Sequence, residues 1–374
     1  MIKEAVNYIK NIKGECMKKI LCFMSMILAV VFVGCGGKEE GGASKTKVYE
    51  YALVTDVGTI DDKSFNQGAW EGVQAYTKEK NLPAKYYKPI EKSDEAYMTS
   101  MRLAIKGGAK VVVCPGFLFE NPVWNLQQEY PDVKFIILDG APHSGNYKYD
   151  IKDNTVAVFY ADQQAGFLAG YAAVKDGYRN LGFMGGIAVP PVVNFGYGYV
   201  QGADYAAKEL GIDDVKIKYT YLGSFGPSPE NMAKAASWYN GDTDVIFACA
   251  GGAGNSVMKA AETAGKAMIG VDVDQSSESE SVITSSMKNL GKSVHDILNL
   301  YEKGEFPGGQ MLRLGAESGN VGLPMETSRF KKFTKDDYDM IYDKIANNEI
   351  EIQTNLIPEV TGLKVDKVQV ELVK

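Results

Sequence analysis

The sequence predicts an α/β protein made of two lobes, each a parallel sheet with helices on both faces. Its 374 residues exceed what one hydrophobic core usually holds, so two lobes are expected. Short apolar runs alternate with helical stretches, which is the pattern of parallel sheets. This alternation starts again after about residue 157. The 40 glycines suit a fold with many tight turns between strands and helices.

Each apolar run predicts a strand, and helical spacing of apolar residues predicts the helices. In the first part of the chain the predicted strands lie at 49–56, 110–116 and 134–140, and the predicted helices at 64–80, 122–130 and 161–177. In the second part the strands lie at 180–186, 215–225, 244–252 and 266–275, and the helices at 197–211, 229–241 and 255–265. The alternating tail at 364–374 predicts an edge strand.

Charge and cysteine usage exclude two classes of function. The formal net charge of −7, with no stripe of basic residues, argues against a nucleic-acid partner. Cys114 and Cys249 each end an apolar run and are expected to be unreactive core residues. His143 and His295 are the only histidines, and the zinc-binding spacings CxxC and HExxH do not occur. No metal site and no cofactor are therefore expected.

The N-terminal region predicts export and lipid attachment. Met17 is followed by two lysines and then by the apolar run Ile20–Val33, which is too short for a stable membrane span. Gly34 and Cys35 close this run and resemble the bacterial lipobox, in which the cysteine is acylated; Phe32 replaces the usual leucine. Residues 17–34 are thus expected to be a signal peptide, and Cys35 the lipidation site. A plain signal peptide is the alternative interpretation.

The segments on either side of the signal peptide are not expected to fold. Residues 1–16 do not fit a signal peptide, so translation is expected to start at Met17, and residues 1–16 are interpreted as an upstream extension. Residues 35–47 are polar and rich in glycine, which predicts a flexible tether. The mature protein is expected to sit on the outer side of the cell membrane, held by the lipid on Cys35.

Ligands of doubly wound sheets bind beyond the carboxyl ends of the strands, so the residues after each strand are the candidate site. Three of these residues are aspartates, Asp56, Asp139 and Asp272, and others are glycines. An aromatic ring can hold a flat group, and one carboxylate can accept hydrogen bonds from two neighbouring hydroxyls. These residue types therefore suit a small polar ligand.

Several sequence blocks resemble one family. The run VTDVGTIDDKSFNQGAWEGV is similar to the signature of the basic membrane protein (BMP) family, and through it to the purine nucleoside receptor lipoproteins. The runs YPDVKFIILDG, AGFLAGYAA, IGVDVDQ and ITSSMKN follow in the family's order, and the resemblance extends from Val48 to about residue 330. It implies the periplasmic type I binding-protein fold, with two lobes joined by three crossover segments and closing on a nucleoside.

The resemblance also implies lobe boundaries. The first lobe is expected to comprise residues 48–156 and about 278–315, and the second residues 157–277 and about 316–374. Closure of two such lobes around a ligand is a state that a transporter can recognise. The implied partners are the permease and ATPase subunits of an ABC transporter.

At the base end of the ligand, the resemblance implies that Phe65 stacks on the ring. Asp56 is then expected near the edge of the base, together with Ser64 or Asn66. A second aromatic ring is expected from the other lobe, and Phe225 is the candidate because it lies at the end of a predicted strand.

At the sugar end, the resemblance implies that Asp139 and Asp272 accept hydrogen bonds from ribose hydroxyls and that Lys288 donates to a ribose oxygen. Gly251 and Gly252 are expected to let the backbone approach the sugar. The ligand is expected to be of the adenosine, guanosine or inosine class.

Each of these residues also has a purely structural interpretation. The aspartates could close turns or cap helices, Phe65 could pack at the start of its helix, and Lys288 could be an exposed helix residue. The run 61–63, Asp-Asp-Lys, is expected to be a solvated turn rather than part of a site. Phe247 lies within a strand and is expected in the core.

Two rival functions remain open from the sequence. A dinucleotide-dependent enzyme would need GxGxxG after the first strand, where the chain has DVGTI instead, and no GxxxxGK[ST] occurs. A nucleoside-processing enzyme is therefore disfavoured, and no catalytic residue is predicted. A sensor or surface antigen that binds a sugar or another small ligand would keep the same fold.

Overall fold

The computed structural model of the chain describes residues 48–354 and 360–373. The predicted signal peptide, the tether and Cys35 lie outside the described residues. Among the described residues no helix combines the length and hydropathy needed to cross a membrane. The predicted α/β arrangement of two parallel-sheet lobes is confirmed.

The first lobe contains a parallel sheet of six described strands. In chain order they are β1 (Tyr51–Val54), β2 (Ala84–Tyr87), β3 (Val111–Pro115), β4 (Lys134–Leu138), β5 (Thr155–Tyr160) and β11 (Met311–Leu314). Across the sheet their order is β11-β5-β4-β3-β1-β2. All five residues of β3 are buried, because helices cover both faces of the central strands.

The second lobe contains a sheet of seven described strands. They are β6 (Asn180–Gly185), β7 (Val215–Tyr221), β8 (Val245–Cys249), β9 (Ala267–Asp272), β10 (Val282–Lys288), β12 (Val321–Gly322) and β13 (Val368–Leu372). Their order is β12-β10-β9-β8-β6-β7-β13, and β12 is antiparallel to β10. The predicted edge strand in the tail is confirmed as β13, which pairs with β7 in parallel.

Nine α-helices of the described residues cover these sheets. Those of the first lobe are α1 (Phe65–Glu79), α2 (Asp94–Lys106), α3 (Glu120–Glu129) and α8 (Leu290–Glu302). Those of the second lobe are α4 (Asp162–Lys175), α5 (Pro190–Leu210), α6 (Pro229–Asn240), α7 (Gly254–Ala264) and α9 (Lys335–Ala346). Helices α1 and α8 pack together closely where Gly72 faces Gly291.

The described chain crosses between the lobes three times: after β5, after β10 and after β11. The predicted lobe boundaries differ from these crossovers. A boundary at 156/157 would cut β5, which pairs with β4 along its length in the first lobe. A boundary at 277/278 would assign β10 to the first lobe, whereas it pairs with β9 in the second. The first lobe thus ends at Tyr160 before resuming after Asn289.

Glycines allow α4 and α5 to pack with their backbones nearly in contact. A Cβ atom on Gly170 would lie 2.0 Å from the carbonyl oxygen of Tyr199, and one on Gly202 would lie 2.0 Å from that of Phe167. A side chain at either position would therefore force the two helices apart. The glycine-rich run 196–202 is a helix-packing surface and not a nucleotide-binding loop.

The start of α1 corrects one prediction. The carboxylate of Asp62 accepts hydrogen bonds from the backbone N–H groups of Ser64 (2.9 Å), Asn66 (3.1 Å) and Gln67 (3.1 Å). Free N–H groups at a helix start need such acceptors. The run 61–63 is therefore not simply a solvated turn, because Asp62 fixes the beginning of the helix that carries Phe65.

Candidate ligand-binding site

The carboxyl ends of strands from both lobes meet at one cavity of about 350 Å³. That volume is within the range of small-molecule pockets. Both lobes contribute to its lining, which includes nine of the ten predicted ligand contacts: Asp56, Phe65, Asn66, Asp139, Phe225, Gly251, Gly252, Asp272 and Lys288. Strand-end residues that are far apart in the sequence thus lie around one cavity.

The two lobes present their aspartates in equivalent ways. In the first lobe, β3 leads through a short 3₁₀ turn and α3 to β4, and Asp139 follows with φ 51°. In the second lobe, β8 leads through a 3₁₀ turn at Gly251–Ala253 and α7 to β9, which ends at Asp272 with φ 68°. Positive φ is unfavourable for residues other than glycine and is often found at functional sites. Both carboxylates are thereby held at the edge of a sheet.

Lys288 is the centre of a buried charge cluster. Its ammonium contacts the carboxylate of Asp139 and lies 2.9 Å from Oδ1 of Asp162. Burial alone would lower the pKa of Lys288, but Asp139, Asp162 and Asp272 together outweigh it and hold that pKa well above its ordinary value. Burial raises the pKa of Asp272 to about 6 against the attraction of Lys288. Three carboxylates therefore stabilise the charge of one ammonium, which pairs directly with two of them.

Asp139 has unused hydrogen-bonding capacity. Its Oδ2 accepts from Lys288, while its buried Oδ1 accepts no hydrogen bond from the described residues. A buried acceptor without a donor is costly and uncommon in native proteins. Asp139 lines the cavity, so a hydroxyl group of a ligand is a donor that fits this oxygen.

Asp56 and Asn66 form a fixed pair in the lining of the cavity. Oδ1 of Asp56 accepts from the N–H of Gly58 (2.7 Å) and from Nδ2 of Asn66 (2.8 Å). Nδ2 of Asn66 also donates to Asp62, and its Oδ1 accepts from the N–H of Asp56. Asn66 therefore positions Asp56, and the amide that was predicted to contact the ligand is already engaged. Burial is the main cause that raises the pKa of Asp56 to about 6.

Ser64 has a different contact from the predicted one. Its side chain is fully buried and does not line the cavity. Its hydroxyl donates to Oδ2 of Asp272 at 2.5 Å, which joins the start of α1 in the first lobe to the end of β9 in the second. The sequence alone could not show this partner, because the two residues are 208 positions apart.

Aromatic rings from both lobes line the cavity. Phe65 comes from the start of α1, and the Nζ atom of Lys288 lies 5.1 Å from its ring centroid. Phe225 packs over Gly186, where a Cβ atom would lie 2.4 Å from its ring, and lies beside Gly251. Phe247 is fully buried in the core, as predicted, and its ring centroid lies 5.3 Å from that of Tyr199. The lining of the cavity thus has an aromatic ring from each lobe.

Among the residues of the site that sequence reasoning missed are three aromatic or polar lining residues and one buried aspartate. Phe117, Phe195 and Asn255 line the cavity, and Asp162 contacts Lys288 from behind it. Phe117 and Asn255 follow β3 and β8 by a few residues, so a wider strand-end search would have found them. Asp162 follows β5, whose apolar run TVAVFY was not assigned as a strand.

Two lobes joined by three crossovers, with a cavity between their sheet edges, define a bilobed small-molecule-binding protein. A family described as ABC transporter substrate-binding protein, PnrA-like, matches residues 49–356. The chain belongs to this family, the BMP family, as its sequence blocks indicated.

The sequence similarity to known relatives extends over most of this chain and most of theirs. The ABC transporter nucleoside-binding protein BmpA of Lactococcus lactis subsp. cremoris is 32% identical, and the match covers 84% of this chain and 94% of that protein. Basic membrane protein A of Borreliella burgdorferi is 31% identical over 91% of this chain and 96% of its own.

A solved structure shares the fold. An ABC transporter solute-binding protein from Aeropyrum pernix K1 superimposes with a TM-score of 0.71 at 22% identity, covering 82% of this chain and 94% of that one. The periplasmic-binding-protein type of fold is therefore confirmed.

Proposed function

We propose that this chain binds a nucleoside between its lobes and presents it to the permease of an ABC transporter. The observation that carries the proposal is the meeting of Asp139, Asp272 and Lys288 from both lobes at one cavity wall, beside Phe65. The name of the Lactococcus lactis relative, a nucleoside-binding protein, supports the same ligand class.

The chemistry of the lining suits the two halves of a nucleoside. A ribose has two neighbouring hydroxyls that can donate, and Oδ1 of Asp139 is an acceptor that the described residues leave unused. Lys288 can donate to a ribose oxygen while it remains paired with its carboxylates. Phe65 and Phe225 can pack on the faces of the base, and Asp56 can accept from a donor at its edge. Asn66 and Ser64 act through Asp56 and Asp272.

The charge of the cavity argues against phosphorylated ligands. Five aspartates line it, at positions 56, 61, 62, 139 and 272, and Lys288 is the one basic residue in the described lining. The nearby start of α5 is Pro190-Pro191, which lacks the backbone N–H groups that bind phosphate at helix starts. The site therefore favours uncharged nucleosides over nucleotides.

A calorimetric panel tests this function. Adenosine, guanosine or inosine is expected to bind, and the 5′-monophosphate of the same nucleoside is expected to bind at least about 100-fold more weakly, because like charges meet in a partly buried site. Free bases and ribose should each lose the contacts of the missing half. Binding of none of the nucleosides, or equal binding of the monophosphates, would contradict the proposal.

The raised pKa values predict a pH dependence of binding. Asp56 and Asp272 have pKa values of about 6, and the proposed contacts use their ionised forms. Nucleoside affinity is therefore expected to be constant above pH 7 and to fall by roughly tenfold or more per group by pH 5. Calorimetry across this range measures the change, and affinity that is independent of pH would exclude ionised carboxylates as acceptors.

The stability of the ligand-free protein provides the control, because these two groups are expected to change it with pH in the opposite direction to nucleoside affinity. The native pKa values of Asp56 and Asp272 lie above the ordinary value of 3.8. Their ionisation above pH 6 therefore costs stability, and protonation between pH 6 and 4 relieves that cost. As the pH falls from 6 to 4, these two groups therefore increase the stability of the ligand-free protein while nucleoside affinity decreases. Weaker binding at pH 5 thus cannot be attributed to their effect on unfolding.

We further infer that a lipid on Cys35 anchors the mature protein to the outer face of the cell membrane. The run that ends at Gly34-Cys35 and the transporter family support this inference. Cys35→Ser is expected to abolish incorporation of labelled palmitate and to release the protein from the membrane fraction. A labelled, membrane-bound Cys35→Ser variant would refute the anchor.

We propose no catalytic role. Incubation with inosine or adenosine is expected to yield no free base, and sustained release of base would show that the chain is an enzyme.

A further inference from the structure

Asp162 is a buried carboxylate that does not line the ligand cavity. It is the first residue of α4, directly after the first crossover, and its exposed fraction is 3%. Its Oδ1 lies 2.9 Å from Nζ of Lys288, which is the last residue of β10 and directly precedes the second crossover. The ion pair therefore connects the second-lobe ends of two crossovers.

Backbone hydrogen bonds bind the same region together. The N–H of Ala161 donates to the carbonyl of Leu314 at 2.9 Å, which joins the first crossover to the third. The N–H of Asn289 donates to the carbonyl of Asn320 at 2.8 Å. Asp162 and Lys288 thus lie within the hinge, where distances change least when two lobes rotate.

Asp139, the other close partner of Lys288, is placed differently. It follows β4 at the edge of the first-lobe sheet, and its contact with Lys288 joins the two lobes. A rotation that opens the cleft would move Asp139 away from Lys288 and leave Asp162 beside it. A buried ammonium without a counter-charge is strongly unfavourable, so the partner that remains decides how easily the lobes separate.

We propose that Asp162 is a positioning residue that holds Lys288 in the hinge and allows the ligand-free protein to open. Asp162 does not contact the ligand in this account. When the charge of Asp162 is removed, Lys288 depends more on Asp139, and the population of the closed form increases. When the charge of Asp139 is removed, closure no longer forms an interlobe ion pair, and the population of the open form increases. This inference rests on the proposed function, since capture of a nucleoside requires an open cleft.

Hydrogen–deuterium exchange of the ligand-free full chain tests the inference at segments 57–62 and 225–228, which border the cleft. In Asp162→Asn these segments are expected to exchange about threefold more slowly than in the wild type, and in Asp139→Asn about threefold faster. Asp162→Glu keeps the charge and is expected to resemble the wild type. Asp213→Asn, at an exposed position of the second lobe, is the matched control.

The directions of these changes distinguish positioning from a general structural role. A folded Asp162→Asn variant that exchanges at the wild-type rate, or faster, at the cleft would overturn the inference. If that variant does not fold, Asp139→Asn decides, and exchange no faster than the wild type would overturn it. The readout uses no ligand, so failure to bind nucleosides would refute the proposed function alone.

Discussion

Replacing Lys288 with methionine is expected to lower the free energy of unfolding by about 3–5 kcal/mol, the range found when one partner of a buried ion pair is removed. Methionine has a similar length and fills the same space. The carboxylates of Asp139, Asp162 and Asp272 would then remain buried without the ammonium that now pairs with two of them. Urea denaturation at pH 7.5 measures the loss.

The pH dependence of this loss identifies its cause. Burial raises the pKa of Asp162 and brings the pKa of Asp272 to about 6, so protonation of these two carboxylates at lower pH reduces the repulsion. The difference in the free energy of unfolding between Lys288→Met and the wild type is therefore expected to shrink as the pH falls towards 5. Lys292→Met is the control, because Lys292 is exposed and pairs with Asp296 on the surface of α8. A Lys288→Met protein as stable as the control at pH 7.5 would show that the cluster is not electrostatically coupled.

Asp139→Asn is expected to weaken nucleoside binding by about 10- to 150-fold, which corresponds to the 1.5–3 kcal/mol of a hydrogen bond to a charged group. Asparagine keeps the shape of the side chain and one acceptor, but it removes the charge. Lys288 retains Asp162 as a partner, so the fold is expected to persist. Calorimetric titration with adenosine measures the effect.

The same variant identifies the sugar contact. If Asp139 accepts from a ribose hydroxyl, the loss should differ between adenosine and 2′-deoxyadenosine, and Asp272→Asn provides the second-lobe comparison. Asp132→Asn, exposed in the first lobe, is the control. If the Asp139 and Asp272 variants bind both ligands as the wild type does, the ribose assignment is wrong.

Much of the fold could be predicted because buried parallel strands are recognisable in the sequence as apolar runs. VVVCP and KFIIL are buried on both faces and were assigned. The strand VITSSMK is buried as well, yet its serines and threonine leave no apolar run, so the pattern did not reveal β10. The expected boundary at 277/278 accordingly placed this strand in the first lobe, whereas it pairs with β9 in the second. The short strand β2 is half exposed and was missed for the same reason.

The sequence predicted which residues lie at the candidate site where their position follows from the backbone alone. Asp56, Asp139 and Asp272 follow from the rule that ligands bind beyond strand ends. The partners of side chains do not follow from that rule. Nothing in the sequence shows that Asn66 is engaged by Asp56 and Asp62, that Ser64 meets Asp272, or that Asp162 shares Lys288.

A crystal structure of the protein grown with inosine tests the central claim most directly. Our account predicts one ligand between the lobes, with a ribose hydroxyl within hydrogen-bonding distance of Oδ1 of Asp139 and the base packed against the ring of Phe65. Inosine bound elsewhere, or bound in the cleft without contact to either residue, would contradict it.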